Sequence, residues 1–476
     1  MKKVLFAVCV CYSIVAAQTY KKYFSEGTMR VDYYHTGTKG QDYITLDKIY
    51  KEDIWPGSKT NLLDTLNLGD SFVTITDLQT NILLYSRGYS TLFSEWQTTD
   101  DALQGVWKTF HETVRFPNPL RKVMVNFFRR DKYVASGEMM AFRQIFSTVI
   151  DPTDRTVVNQ EKRENEFIVY DVMINGPIEK KVDILILGDG YTLEDMGKFR
   201  KDVQHFGETL FSYEPFKKRK KDFNVRAMEI ISKESGIDMP DINIWKNTAL
   251  GTTYNTFGTP RYVLTEDNKS LRDLAGTAPY DFITILVNDN RYGGGGIFNL
   301  YTTSFTKAVK PGQEWEMDYV YVHEFGHCFG GLGDEYYSSQ TSYIDFYPKG
   351  VEPWEPNVTR THTRETLKWR KFLDVNTQVP TPWRKIEYDS IESIRGKLDR
   401  LADDYYDKRK NLLEASNAIL LDLTFKGKVG AFEGAGYTAK EMYRPAIDCK
   451  MFALNPVDFD PVCSAAIEKM IDIYCK

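Results

Sequence analysis

The sequence carries no large excess of positive charge. Its 61 Lys and Arg residues face 66 Asp and Glu residues, which gives a net charge of −5. Proteins that bind nucleic acid use clustered cations to neutralise phosphates, so this balance argues against a nucleic-acid partner. The sequence also lacks internal repeats and low-complexity tracts.

No membrane-spanning segment is expected in the mature chain. The apolar run at residues 4–17 is too short to cross a bilayer comfortably. It follows Lys2 and Lys3, ends with Val15 and Ala17, and gives way at once to polar residues, as is typical of a signal peptide. We therefore expect residues 1–17 to be removed and the protein to work outside the cytoplasm, whether secreted, periplasmic or on the cell surface.

Cysteine is scarce as well. Beyond the apolar N-terminal run only Cys328, Cys449, Cys463 and Cys475 remain, too few for a disulfide scaffold in so long a chain. An oxidising compartment permits disulfides, and Cys449 and Cys463 are near enough in sequence to close a short loop. The pairing among the four stays open, because sequence cannot determine connectivity.

The length of 476 residues predicts more than one domain. Between residues 20 and 152 the apolar pattern has period two, most clearly at residues 72–76 and 122–128, which favours a β-sandwich. Residues 151–165 are polar and are interpreted as a linker or a surface hairpin. We predict an N-terminal β-sandwich domain at residues 18–155.

The second half, residues 156–476, has a different pattern. Residues 182–187 are almost continuously apolar, as in a strand buried on both faces, and Thr192 looks like the N-cap of a following helix. Further strands are expected at 223–231 and 281–287, which together predict an α/β or α+β domain with a mixed sheet. The amphipathic stretch at 390–418 predicts a surface helix or helical pair, with a partner-binding coiled coil as the alternative.

Histidine occurs only six times, yet two of the six stand four residues apart, with Glu324 between them. On a helix His323 and His327 lie on one face, where both imidazoles reach one metal ion. Glu324 is placed to act as a general base in hydrolysis. The alternative is a helix whose two histidines are merely packed or surface groups.

A catalytic Zn²⁺ needs three protein ligands. The next candidates are Asp334 and Glu335, beyond the Gly330-Gly331 pair that is expected to end the helix. We prefer Asp334 as the third ligand of the predicted zinc site. The alternative is that this carboxylate only holds the surrounding loop in place.

Residues 323–336 resemble the signature of the M64 family of immunoglobulin A peptidases, and residues 183–191, 291–296 and 443–451 agree. The resemblance extends from about residue 167 to 476, and the preceding region resembles the N-terminal domain of bacterial members. The family is metzincin-like, which implies a methionine turn beneath the zinc at Met451. In the metzincin motif the third ligand lies three residues after a glycine, and counting from Gly330 gives Gly333. Counting the same three residues from Gly331 gives Asp334.

The resemblance also implies that substrate binds as an added antiparallel strand. The best candidate for the receiving edge is the segment Gly295, Gly296, Ile297 and Phe298. Tyr443 and Tyr336 are candidates for transition-state support, although a structural role is the alternative for each. The run of four glycines at residues 293–296 lacks the pattern of a phosphate-binding loop, so nucleotide binding is not expected.

These features predict a secreted, monomeric, zinc-dependent endopeptidase that hydrolyses protein or peptide substrates, with immunoglobulin-like substrates suggested by the resemblance. One alternative is a zinc exopeptidase or glycopeptide hydrolase. Another is a surface binding protein with a structural or inactive zinc site, against which Glu324 argues because a structural site has no use for a general base.

Overall fold

The computed structural model describes residues 20–130, 142–159, 167–308, 312–338, 346–399 and 402–475. The predicted signal peptide at residues 1–17 lies outside these ranges. Among the helices they contain, none combines the length and apolar character that crossing a membrane requires.

The N-terminal half consists of two four-stranded sheets, with strand orders β5-β1-β2-β8 and β4-β3-β6-β7. Its strands are β1 (Phe24–Thr38), β2 (Gln41–Glu52), β3 (Ser71–Asp77), β4 (Leu83–Tyr89), β5 (Lys108–Pro119), β6 (Val123–Arg130), β7 (Phe142–Ile150) and β8 (Val158–Asn159). Short helices α1 (Leu92–Trp96) and α2 (Asp100–Leu103) precede β5.

The two sheets share one apolar core. Alternate residues of β3, such as Val73 and Ile75, are buried, as the period-two pattern predicts. Tyr33 from the first sheet meets Phe127 from the second, with ring centroids 5.0 Å apart. The predicted domain boundary at residue 155 stays a prediction, and β8 pairs with β2 just beyond it.

The C-terminal half is built around a six-stranded mixed sheet of order β15-β16-β14-β10-β11-β9. Strands β10, β11, β14 and β16 run parallel, while β9 and β15 are antiparallel to their neighbours. The strands of this half are β9 (Ile168–Met173), β10 (Val182–Asp189), β11 (Phe223–Glu229), β12 (Thr252–Thr253), β13 (Leu264–Thr265), β14 (Phe282–Val287), β15 (Gly294–Ile297), β16 (Tyr301–Phe305), β17 (Phe432–Ala435) and β18 (Thr438–Arg444). Every residue of β10 is buried, which explains its continuous apolar sequence.

Helices pack around this sheet. They are α3 (Met196–Leu210), α4 (Phe216–Arg219), α5 (Asn268–Ala275), α6 (Glu314–Gly330), α7 (Lys385–Gly396), α8 (Tyr405–Leu420) and α9 (Pro461–Cys475). The amphipathic stretch at 390–418 thus belongs to the helical pair α7 and α8. Helix α3 begins at Met196 with Asp195 at the N-cap position, so the N-cap predicted at Thr192 was wrong: Thr192 opens a turn before the helix, in which the Asp195 carboxylate accepts its N–H and hydroxyl.

The two halves are joined by buried polar contacts. Arg30 pairs with Asp273 at 2.9 Å, and Arg115 donates to the backbone carbonyl of Tyr280. Closer to β15, the Ser90 N–H donates to the Phe298 carbonyl at 3.0 Å. The N-terminal half therefore contacts the segment that was predicted to receive substrate.

Candidate metal centre and active-site cleft

Helix α6 carries the two histidines against the mixed sheet. Gly331 ends the helix with φ at +60° and donates its N–H to the His327 carbonyl, so the glycine supplies the left-handed exit expected there. Strand β15 lies directly against α6: a Cβ at Gly296 would stand 2.0 Å from the Glu324 carbonyl oxygen. The helix and strand can approach this closely only because position 296 has no side chain.

Both histidines are oriented by backbone carbonyls. His323 Nδ1 lies 3.0 Å from the Lys450 carbonyl, and His327 Nδ1 lies 2.6 Å from the Leu332 carbonyl. A carbonyl only accepts hydrogen bonds, so each Nδ1 carries a hydrogen and Nε2 is the ring atom that can bind a metal ion. The two Nε2 atoms face each other at 3.2 Å.

Asp334 completes a triangle of donor atoms. Its Oδ1 lies 3.0 Å from His323 Nε2 and 3.2 Å from His327 Nε2. This oxygen is buried and receives no hydrogen bond within the described part of the chain, while the Tyr437 hydroxyl donates to the other carboxylate oxygen. The structure thus brings together the three ligands predicted from the sequence.

The charges around the three donor atoms favour a cation between them. Burial opposes a charge on Asp334, but the facing histidines outweigh it and hold the pKa of Asp334 well below its usual range. Burial would lower the pKa of His327, yet Asp334 raises that pKa to about 10. The three donor atoms therefore surround one point that attracts positive charge, where a metal ion would compete with the proton on His327 Nε2.

The triangle fits a four-coordinate metal ion. Nitrogen and oxygen ligands at about 2.0–2.1 Å from a tetrahedral zinc stand about 3.3–3.4 Å apart, close to the 3.0–3.2 Å separations of these atoms. Three protein ligands leave one coordination position for a reacting molecule, which is the pattern of catalytic sites.

Glu324 lines the same cleft beside the histidines. Burial raises the pKa of its carboxyl group, and the adjacent histidines act against that shift. A half-buried carboxylate with this environment is suited to accept and return a proton.

Met451 lies beneath the histidines in a turn closed by a hydrogen bond from the Phe452 N–H to the Cys449 carbonyl. A Cβ at Gly326, between the two histidines on α6, would stand 3.0 Å from the Met451 sulfur. The Met451 carbonyl accepts the N–H of Glu335, which ties this turn to the residue after Asp334. The role of Met451 as a methionine turn stays a prediction.

A cleft of about 770 Å³ opens in front of the triangle. Gly294, Gly296 and Phe298 contribute to its wall, whereas Gly295 faces Tyr262. The N-terminal half supplies further wall residues: Asp70, Ser90 and Glu95. Sequence reasoning missed this contribution, because contacts between distant segments leave no local pattern.

The candidate edge strand β15 begins and ends one residue earlier than the predicted segment, at Gly294 and Ile297. Gly294 exchanges hydrogen bonds with Arg261 and Val263 at one end. Phe298, at the other end, follows the strand and accepts the hydrogen bond of Ser90. Only the intervening residues, Gly295 to Ile297, lie between these two paired ends.

Of the two tyrosines predicted near the site, Tyr336 lines the cleft and Tyr443 does not. Tyr443 packs in a separate apolar cluster with Leu367 and Trp369 and stands outside the lining of the cleft. Tyr437, in the turn between β17 and β18 with φ at +61°, reaches Asp334 instead. The two residues lie toward opposite ends of one hairpin strand, a difference that only the hairpin geometry reveals.

Comparison with known proteins adds to this geometry. A family model described as IgA Peptidase M64 matches residues 171–471, and a model described as Peptidase M64 N-terminus matches residues 19–140. No curated protein sequence matches the chain.

Proposed function

Since this chain belongs to the M64 peptidase family, a family of metallopeptidases, we propose that it is a zinc-dependent endopeptidase that acts outside the cytoplasm as a monomer. Its substrates are proteins or peptides, and immunoglobulin-like domains are the first class to test. The observation that carries the proposal is the triangle of His323 Nε2, His327 Nε2 and Asp334 Oδ1, all within 3.2 Å of one another.

In this proposal His323, His327 and Asp334 hold the zinc ion. When bound, zinc supplies Lewis-acid polarisation of the scissile carbonyl and eases deprotonation of water. The backbone carbonyls of Lys450 and Leu332 keep both imidazoles in the tautomer that a metal requires. Met451 supports the helix from below at Gly326.

Glu324 moves the proton. Its carboxylate takes a proton from the attacking water and delivers it to the leaving amine. Its raised pKa suits this exchange, because a more basic carboxylate captures the proton of water more readily. A binding protein with an inactive site would have no need of this group.

The shape of the cleft favours internal cleavage. It is lined from both halves of the chain, with β15 along one wall, which supports binding of an extended peptide across the front of the triangle. Residues Gly295 to Ile297 are the segment we propose to pair with substrate, over a short stretch.

The experiment is product mapping. The mature protein, loaded with zinc, is incubated with a peptide library and with intact immunoglobulins, and the products are identified by mass spectrometry. Internal cuts that disappear after chelation and return with zinc support the proposal, whereas stepwise release of single residues would assign an exopeptidase. Zinc-loaded, folded protein that leaves every substrate intact would favour the binding-protein alternative.

A further inference from the structure

A second cluster of metal-ligating side chains lies apart from the cleft. Donor atoms of Glu335, Cys449, Asp460 and Cys463 all stand within 4.8 Å of one another, and all four residues are buried. Cys449 opens the turn that carries Met451, Asp460 precedes α9 and Cys463 lies in its first turn. Three separate segments of chain therefore converge on one point.

The spacing of the donors matches a tetrahedral ion. The two sulfur atoms are 3.8 Å apart, and Glu335 Oε1 lies 3.3 Å from Cys463 Sγ. Thiolates bound to zinc at about 2.3 Å stand about 3.8 Å from each other in tetrahedral geometry. Two sulfur and two carboxylate ligands form a set that favours zinc over magnesium or calcium.

Two oxygens of the cluster are left without partners. Glu335 Oε2 and Asp460 Oδ2 are buried and take part in no hydrogen bond with the described residues. A buried carboxylate oxygen without a partner is costly, so this pair points to something that the protein atoms do not supply. Asp460 Oδ1, by contrast, accepts the N–H groups of Val462 and Cys463.

The surroundings resemble the outer shell of a metal site. Cys449 Sγ lies 3.5 Å from the Met451 nitrogen and 3.4 Å from the Asp460 nitrogen, and accepts both N–H groups. The Asn357 amide donates to Glu335 Oε1. Such donors orient ligands and stabilise their negative charge.

We propose that Cys449, Cys463, Glu335 and Asp460 bind a second, structural zinc ion. Four buried protein ligands leave no open position, which distinguishes this site from the triangle in the cleft. The ion would clamp the segment after Asp334, the methionine turn and the start of α9 to one another. It would thereby hold in place Asp334 and the Lys450 carbonyl that orients His323.

The test is metal content, which does not depend on peptidase activity. The mature chain is purified under reducing conditions with zinc and then desalted, and its zinc content per chain is measured by inductively coupled plasma mass spectrometry. We expect two zinc ions per wild-type chain and one in the Cys449→Ser/Cys463→Ser variant. Cys328→Ser is the matched control, because Cys328 is a buried thiol outside the cluster, and it should keep both ions.

Cobalt provides a readout that needs no cysteine variant, should that variant fail to fold. Wild-type protein reconstituted with Co²⁺ should show thiolate-to-cobalt charge-transfer absorption, and His323→Ala should retain it, since the triangle contains no sulfur. Equal zinc contents in the wild type and the Cys449→Ser/Cys463→Ser variant, absence of the charge-transfer band, or a Cys449–Cys463 disulfide in peptides mapped without reductant would each overturn the inference. Two bound ions in a protein that cleaves nothing would leave it standing while the proposed function failed.

Discussion

Replacing Tyr437 by Phe removes a single hydroxyl that supports the proposed zinc site. That hydroxyl donates to Asp334, the one of the three proposed ligands that lies outside helix α6. The ring itself packs against Tyr336 and Phe346, with centroids 5.5 and 5.7 Å away. Because phenylalanine keeps these ring contacts, the variant isolates the hydrogen bond.

The size of the effect follows from the position of the contact. Loss of an outer-shell hydrogen bond to a metal ligand typically reduces metal affinity by about 10- to 100-fold, which corresponds to about 1.4–2.7 kcal/mol. Asp334 is buried, so few other donors can reach its carboxylate. We expect Tyr437→Phe to bind zinc in this weaker range with little change in its thermal unfolding.

The assay is competition for zinc with a chromogenic chelator. Tyr443→Phe is the matched control: it removes the same atom from a tyrosine of the same hairpin whose side chain packs away from the cleft. It should bind zinc like the wild type. Wild-type affinity in Tyr437→Phe, or an equal loss in Tyr443→Phe, would refute the assignment of the supporting hydroxyl.

Two further predictions concern packing and pH. Gly296→Ala places a Cβ 2.0 Å from the Glu324 carbonyl oxygen. This overpacking should lower the free energy of unfolding by about 1–3 kcal/mol and slow cleavage. The control is Gly207→Ala inside α3, where the new Cβ meets only one contact at 3.7 Å and should raise the free energy of unfolding, measured by chemical denaturation, by up to about 1 kcal/mol. Burial lowers the pKa of His35, but the carboxylates of Glu112 and Asp42 outweigh this effect and raise that pKa. The charged ring therefore stabilises the folded protein fully below the unfolded pKa of about 6.5. This stabilisation is lost as pH rises through the folded pKa. The difference in melting temperature between wild type and His35→Gln should therefore shrink from pH 6 upward; a constant or growing difference would contradict the assignment.

Local features of the site were accessible from the sequence. The pairing of His323 with His327 depends only on the four-residue repeat of a helix, and the exit at Gly331 depends only on backbone freedom. Asp334 follows that exit closely enough for the turn to return it to the histidines. Met451 is remote in sequence, and only its resemblance to a methionine turn predicted its place.

Non-local features were not accessible. Nothing near Tyr437 in the sequence marks it as a partner of Asp334, since the hairpin turn between β17 and β18 decides which tyrosine faces the site. The pairing of Gly294 with residues 261–263 likewise depends on tertiary contacts. The start of α3 at Met196 was missed because a turn from Thr192 to Asp195 precedes the helix, in which the Asp195 carboxylate accepts the Thr192 N–H and hydroxyl.

We propose that Glu324 transfers protons at a metal ion that other residues hold. The most direct test measures zinc content and the cleavage rate together in Glu324→Gln, using the best substrate found by product mapping. We predict that the variant binds as much zinc per chain as the wild type and that its kcat is about 10²- to 10⁴-fold lower. A variant that keeps both its zinc and its wild-type rate would contradict the account.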